Sequence, residues 1–534
     1  MAADDQDVII VGGGLAGLTL ALQRRRELPD ATITVLEKLR HPAPPAIHKI
    51  GESSVEIAAH YFDTVLGLKD HLLGEQLKKF GFRFFFSEGR EDIDRVTELG
   101  ASRYLATPSY QIDRGLFENF LGRHAREQGI RFVDGCTVRE LAVGRDGGMH
   151  EVAFETDAGP ARLAARWLVD ASGRSALLKK RLGLAKPSPH NANAVWFRIG
   201  SRIRVDDWSD DPAWRGRCEP AARWLSTNHL VGRGYWVWLI PLSSGSHSIG
   251  IVADARTHPI GEMNTFERAM DWLRRHQPRL ATELDDKRDQ VQDFVFFRRF
   301  SYGCKQLFSR DRWAITGEAG VFLDPFYSPG SDFIAIANTY ITDLVARDLG
   351  GESIATRAAL YGQFFDSFYE STLTLYLDMY DLFGDPEVLP VKVLWDYTYY
   401  WGVLCQLFFQ RRLTDLQALG RVRAELLASK ELNRLMQVLF RDWSQLSTHG
   451  NGPGLLDQAA LPWFAELNRG LADRLDDDGF HQRMLRTTAQ LKSLAQQIVT
   501  HAARDVGSLD TSGIDALLGD AQAGEDTPLL SAAG

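Results

Sequence analysis

Apolar residues fall in three patterns along the chain. Val8-Ile9-Ile10-Val11 and Ile33-Thr34-Val35-Leu36 are short, unbroken, β-branched runs that predict parallel strands buried on both faces. Residues 152–170 alternate and end in Val169-Asp170-Ala171-Ser172-Gly173, a strand running into an acid-glycine turn. Residues 195–254 read as successive strands around Trp236-Val237-Trp238-Leu239-Ile240-Pro241, where the two tryptophans at i and i+2 share one face. Beyond Gly350 the composition shifts to helices rich in aromatics, among them Phe364, Phe365, Phe368, Tyr369, Tyr376, Tyr380 and Phe383. Closer to the amino terminus, Leu66, Leu72, Leu73 and Leu77 keep helical spacing as far as Lys78-Lys79, and an aromatic strand follows over 80–86. That places Lys79 in a last helical turn, where a cation complements the dipole and Gly81 ends the helix. Further elements are a helix entered at 110–121, a strand over 131–143 and a helix over 333–349.

The first apolar run opens directly into Gly12-Gly13-Gly14-Leu15-Ala16-Gly17, and Glu37 closes the second. In a Gly-x-Gly-x-x-Gly turn between strand and helix, Gly12 permits the tight bend, Gly14 admits a pyrophosphate and Gly17 brings helix and strand together. An acid 20 residues beyond Gly17 accepts from a ribose hydroxyl. Strand, glycines, helix, strand and acid in that order define a dinucleotide site, in which Gly12, Gly14, Ala16, Gly17 and Glu37 line the cofactor.

Composition adds exclusions. Apolar residues make up 44% of the 534, enough for a core and two or three domains, while a net charge of −9 gives no basic footprint for nucleic acid. Cys136, Cys218, Cys304 and Cys405 are far apart and form no metal-ligand spacing, so reduced thiols are expected. The segment Met1-Ala2-Ala3-Asp4-Asp5 has neither the basic region nor the apolar core of a signal peptide, which points to the cytoplasm. The uncharged stretch 397–410 is too short to span a bilayer. Residues 506–534 are small, acidic and polar, and read as a loose tail. Ser53 or Ser54, after the proline-rich loop 40–45, reads as a helix N-cap.

Further motifs make the chain resemble the flavin-dependent halogenases, within the flavoprotein monooxygenase fold. Trp236-x-Trp238-x-Ile240-Pro241 reproduces one halogenase signature, and Phe322-x-x-Pro325-x-x-Ser328-x-Gly330 a second. Lys79 falls where the family has its active-site lysine, with Lys78 as the alternative register, and Gly51-Glu52-Ser53 precedes it at the expected distance. Asp170-Ala171-Ser172-Gly173 is similar to the middle acid-glycine motif, and Gly317-Glu318-Ala319 stands where the family has a ribityl-binding Gly-Asp turn. The resemblance covers residues 7–349. It implies an α/β, Rossmann-like FAD-binding domain with an interleaved substrate β-sheet and a helical C-terminal region: 1–349 the halogenase core (7–190 and 300–349 mainly FAD-binding, 191–299 mainly substrate sheet), and 350–505 the helices.

The resemblance also implies a chemistry. FADH2 from a separate NAD(P)H-dependent reductase meets O2 to give a C4a-hydroperoxyflavin, which chloride or bromide attacks. Lys79 then directs the hypohalous acid to an electron-rich ring, free or tethered to a carrier protein. Ser53, Arg114, Asp170, Gly317 and Glu318 join the cofactor residues; Ser328, Gly330 and Ser331 bind halide; Trp236, Trp238, Phe322, Pro325 and Tyr327 line the substrate passage, with the tryptophans keeping substrate from the flavin. There are two departures from the family. Pro329 has no N–H for the halide, and Tyr327 stands where tryptophan halogenases carry a glutamate, which favours a self-activating phenol or pyrrole. Two other readings stay open: a hydroxylase or oxidase that uses no halide, and a non-catalytic flavin-binding protein.

Overall fold

The computed structural model describes residues 4–46, 50–448, 450–507, 509–518 and 532–533. The chain divides into two interleaved units. The first comprises 1–76, 112–189 and 301–370, and the second 77–111, 190–300 and 371–534.

The first unit is built on a seven-stranded sheet. Its strands run Arg131–Val133, Ile33–Leu36, Asp4–Val11, Gly159–Asp170, His150–Thr156 and Thr137–Ala142, with Trp313–Ile315 also pairing to Gly159–Asp170. The Asp4–Val11 strand is parallel to both neighbours, and its residues 8–11 are buried, as an unbroken apolar run between layers requires. Helices Leu15–Glu27 and Gly330–Leu349 pack together. Asn338 is fully buried and joins them: its Nδ2 donates to Ala16 O, Thr19 Oγ1 and Tyr61 OH, each at 3.1 Å, and its Oδ1 accepts from Thr316 Oγ1 at 2.7 Å.

The second unit carries a nine-stranded sheet. Its order is Val291–Phe297, Ala192–Ile199, His247–Asp254, Tyr235–Pro241, Thr227–Gly232, Phe82–Phe85, Thr97–Gly100, Gly454–Asp457 and Ala532–Ala533. Every residue of its central strands is buried, so both faces are covered and alternation decides what each face does. One face sends Phe85, Val195, Phe197, Leu230, Val237, Leu239, Ile249 and Ile251 into an apolar core closed by helices Phe266–His276 and Pro278–Asp285. The cross-strand register puts Phe82, Phe84, Thr227, His229, Trp236 and Trp238 on the other face. Helical elements, interrupted by the strand Gly454–Asp457, follow to residue 518, and 397–410 is one largely buried run passing through a π-helical turn at Tyr400–Cys405. No helix among the described residues is long and apolar enough to cross a membrane.

Several sequence expectations need correcting. The helix expected to reach Lys79 ends at Glu75, and Leu77–Lys78 pairs instead with Tyr110–Gln111. Residues 77–111, assigned by sequence to the FAD-binding part, contribute two strands to the nine-stranded sheet. Helix Glu56–His60 has Val55 at its N-cap position, so neither Ser53 nor Ser54 caps it. Part of the expected loose tail is ordered: Ser512–Leu518 is a helix with Ile514 and Leu518 buried, because two apolar side chains in an otherwise small-residue stretch suffice to dock it. The tail residues 508, 519–531 and 534 lie outside the described residues.

Candidate active site

The glycine turn is shaped by what surrounds it. Gly12 has φ +110°, and a Cβ there would lie 2.2 Å from Ala171 O; a Cβ on Gly17 would lie 1.9 Å from Gly12 O. Gly14 differs: the nearest atom to a Cβ is Glu118 Oε2 at 3.8 Å. Two glycines therefore serve backbone packing and the third leaves a cradle at the start of helix Leu15–Glu27, where no side chain caps the first N–H groups. Ala16 is buried in the first turn, and a Cβ on Gly317 (φ +61°) would come within 2.8 Å of the Ala16 Cβ. Glu37 accepts from Gly13 N–H at 2.6 Å and from Leu39 N–H at 2.7 Å, which fixes its carboxylate against the turn with lone pairs left for a ribose hydroxyl.

Asp170 is fully buried, and its carboxylate oxygens accept from Ser172 N–H at 2.9 Å and Leu178 N–H at 2.7 Å. Burial pushes its pKa up. The side chain thus folds the Ala171-Ser172 turn that meets Gly12. Ser53 is buried ahead of helix Glu56–His60, and Arg114 reaches back to Ile50 O at 2.7 Å while pairing with Glu118 at 2.5 Å. Glu318 pairs with Arg174 at 3.2 Å, and its main-chain oxygen accepts from Tyr302 OH at 2.7 Å. The Arg174 guanidinium also sits 4.8 Å above Phe322. Glu118, Arg174, Tyr302 and Asn338 escaped the sequence reading because no motif marks them; Arg174 adjoins Gly173 in the chain, but only folding brings it and Tyr302 to Glu318, and Asn338 to Ala16.

In the second signature, Phe322 and Tyr302 exchange main-chain hydrogen bonds of 2.9 and 3.0 Å. The Tyr327 ring lies edge-on to Phe326, with centroids 4.8 Å apart. Ser328 takes a left-handed φ of +54°, and its N–H donates to Pro325 O at 2.8 Å. That closes a tight turn, and Pro329 occupies the N-cap of helix Gly330–Leu349. The first intrahelical bond runs from Phe333 N–H to Pro329 O at 3.0 Å, so the N–H groups of Gly330 and Ser331 precede it, and a Cβ on Gly330 would meet nothing within 4 Å.

In the second unit, Lys79 is buried, its N–H donates to Ser109 O at 2.9 Å, and its Nζ lies 3.5 Å from the centroid of Phe82. Lys78 points the other way, exposed, with its Nζ 4.6 Å from the Tyr104 ring centre. Trp236 and Trp238 are buried side by side with centroids 5.6 Å apart. Trp236 Nε1 donates to Tyr380 OH at 3.3 Å and Trp238 Nε1 to Ser248 Oγ at 3.1 Å. Gly250 makes room for the second indole, since a Cβ there would lie 2.1 Å from it. His229 and Tyr397, which the sequence reading passed over, adjoin Phe82 at centroid distances of 5.3 and 6.1 Å.

A βαβ glycine turn with an acid on the second strand, joined in one chain to a second sheet that presents a buried lysine and paired indoles, defines an FAD-binding enzyme of the Rossmann-like class. Residues 85–372 match the tryptophan halogenase family and residues 10–71 match an NAD(P)-binding Rossmann-like domain. The chain belongs to the tryptophan halogenase family and is a flavin-dependent halogenase. It is 24% identical over 473 residues to flavin-dependent halogenase chlA of Dictyostelium discoideum, covering 79% of this chain and 76% of that one. It is 24% identical over 344 residues to the 1H-pyrrole-2-carbonyl-[peptidyl-carrier protein] chlorinase of Pseudomonas fluorescens, covering 62% and 73%. Among solved structures, halogenase PltM shares the fold at a TM-score of 0.64 and 17% identity over 96% of this chain and 98% of that one. The flavin-dependent brominase Bmp2 shares it at 0.55 and 22% over 71% and 89%.

Proposed function

We propose that this halogenase uses FADH2, delivered by a separate flavin reductase, to chlorinate or brominate an electron-rich aromatic of the phenol or pyrrole type. The observation that carries this reading is the placement of a buried Lys79 over Phe82, on the sheet face that also holds Trp236 and Trp238. Gly12, Gly14, Ala16, Gly17 and Glu37 hold the dinucleotide, with Arg114, Gly317 and Glu318 beside it and Ser53 on the loop that Arg114 fixes. Asp170 acts through the turn it folds. When bound, reduced FAD with oxygen and halide supplies hypohalous acid.

The protein's own groups then do three things. The Gly330 and Ser331 N–H groups attract the halide at a helix start, next to Ser328. Lys79 donates a hydrogen bond to the hypohalous acid or captures the halogen as an amine, and so holds an electrophile that would otherwise react indiscriminately. Trp236 and Trp238 bar the substrate ring from the flavin, with Phe322, Pro325 and Tyr327 lining its passage. The relatives that act on carrier-bound pyrrole make a tethered substrate one candidate.

A second reading, hydroxylation without halide, draws on the 328–329 turn, where Ser328 N–H is already committed and Pro329 has none. Product mass spectrometry separates the two. Purified protein is given FAD, a reductase, NADH, oxygen, chloride or bromide, and a panel of phenols, pyrroles and indoles. A halogen isotope pattern is the expected result; halide-independent addition of oxygen would replace this reading with the second.

A further inference from the structure

Tyr327 offers no carboxylate base, and an electrophilic halogen attacks a phenol ring far more readily once its hydroxyl has lost its proton. We propose that His229 takes that proton from the substrate's hydroxyl group, which makes the site selective for phenols; the proposal rests on the halogenation reading above.

Three observations point to His229. First, strand alternation puts it on the face of Phe82, Phe84, Trp236 and Trp238, where the strands Phe82–Phe85, Thr227–Gly232 and Tyr235–Pro241 otherwise contribute only Phe, Thr, Val, Trp and Ile. Second, it stands within the lysine's aromatic surroundings. The imidazole is 5.3 Å from the Phe82 centroid, and Lys79 Nζ is 3.5 Å from the same centroid, so the two are no farther apart than those distances combined. The imidazole also stacks on Phe84 at 4.6 Å and leans on Trp236 at 5.3 Å. Third, its tautomer is set. Nδ1 lies 3.3 Å from Arg83 O, and a carbonyl only accepts, so Nδ1 carries the hydrogen and Nε2 the lone pair.

The step balances. A ring carbon ortho or para to the hydroxyl bonds to halogen as the halogen–oxygen bond of hypohalous acid breaks and Nε2 accepts the hydroxyl proton; the released hydroxide becomes water with the imidazolium's proton, and the halogenated dienone becomes the phenol as its ring C–H proton leaves and its oxygen is protonated. Lys79 over Phe82, Tyr380 on the Trp236 indole and Tyr397 beside Phe82 are ionisable groups around this face. The Arg83 guanidinium faces the opposite side, bound to Glu98.

The test compares wild type, His229→Gln and His229→Asn on fluorophenols whose hydroxyl pKa values span the assay pH, with kcat and KM read separately. Asparagine can keep the bond to Arg83 O, so it guards against misfolding. Both variants are expected to lose about 100-fold in kcat on phenols that are neutral at the assay pH, with KM within about twofold. The loss should shrink toward none for phenols already ionised, and the acid limb of the wild-type pH profile should vanish. An equal loss across the acidity series, or no loss, overturns the role of His229. Wild type that halogenates pyrroles or indoles but no phenol also overturns it, whereas wild type that halogenates no aromatic overturns the halogenation reading itself.

Discussion

Lys79 Nζ sits 3.5 Å from the centre of the Phe82 ring, three residues along the same segment. An ammonium over an aromatic face in a buried setting gains about 2 kcal/mol, which holds the group in place without neutralising it as a carboxylate would. Lys79→Ala is expected to abolish halogenation while FAD affinity and flavin-dependent oxygen consumption stay near wild type. Phe82→Leu keeps the amine but frees it, and should lower kcat about tenfold. Stopped-flow flavin spectra beside product analysis check both; equal loss of flavin binding would remove Lys79 from its assigned role.

Glu37 organises the nucleotide turn through two short bonds, to Gly13 N–H at 2.6 Å and Leu39 N–H at 2.7 Å. Hydrogen bonds to a charged acceptor are worth about 1.5–3 kcal/mol each, so Glu37→Ala is expected to weaken FAD binding by at least tenfold. Flavin fluorescence titration measures it. An unchanged Kd would show that the acid serves the turn alone.

Glu98 lies between two guanidiniums, Arg83 and Arg223, and all three side chains are fully buried. Arg223 Nε reaches Glu98 at 2.8 Å, and the Arg223 guanidinium stacks 4.0 Å above Trp214. Removing the carboxylate leaves Arg83 without its acid and Arg223 with only Asp206, at 3.8 Å, so Glu98→Gln should destabilise the second unit by about 3–5 kcal/mol, read in urea or thermal unfolding. The cluster occupies the sheet face opposite Lys79, so kcat per folded molecule should hardly move.

His501, on the long helix Asp477–Val506, contacts Glu387 at 2.6 Å. The hydrogen bond and charge of Glu387 raise the imidazole pKa above its ordinary value. A group whose folded pKa is raised stabilises fully below its unfolded value of about 6.5, and that contribution fades as pH climbs through the higher folded value. Melting temperature is therefore expected to fall across that interval, by a small step because both side chains are partly exposed, and His501→Gln should flatten it. An identical pH profile in the variant would refute the linkage.

Local patterns were legible where one stretch of chain carries the whole motif. Strand, Gly12-x-Gly14-x-x-Gly17, helix, strand and Glu37 form a contiguous unit, so its geometry follows from its order. The alternation around Trp236 and Trp238 likewise placed both indoles on one face. Local reasoning failed at Lys79, where leucine spacing predicted a helix: Gln76 turns to extended backbone, and Leu77–Lys78 pairs with Tyr110–Gln111, a partner no periodicity near residue 79 records. At Asp170 the sequence shows only the acid-glycine turn, while in the structure its two oxygens accept from main-chain donors, one of them eight residues on at Leu178. By itself, then, the sequence determined the nucleotide turn, the two signatures and the class of chemistry, because each rests on residues a few positions apart. Only the tertiary structure decided that His229 shares a face with Lys79's aromatic support, that Arg174 meets Glu318 and that Asn338 ties Ala16 to Thr316, because those contacts depend on strand register and helix packing between distant segments.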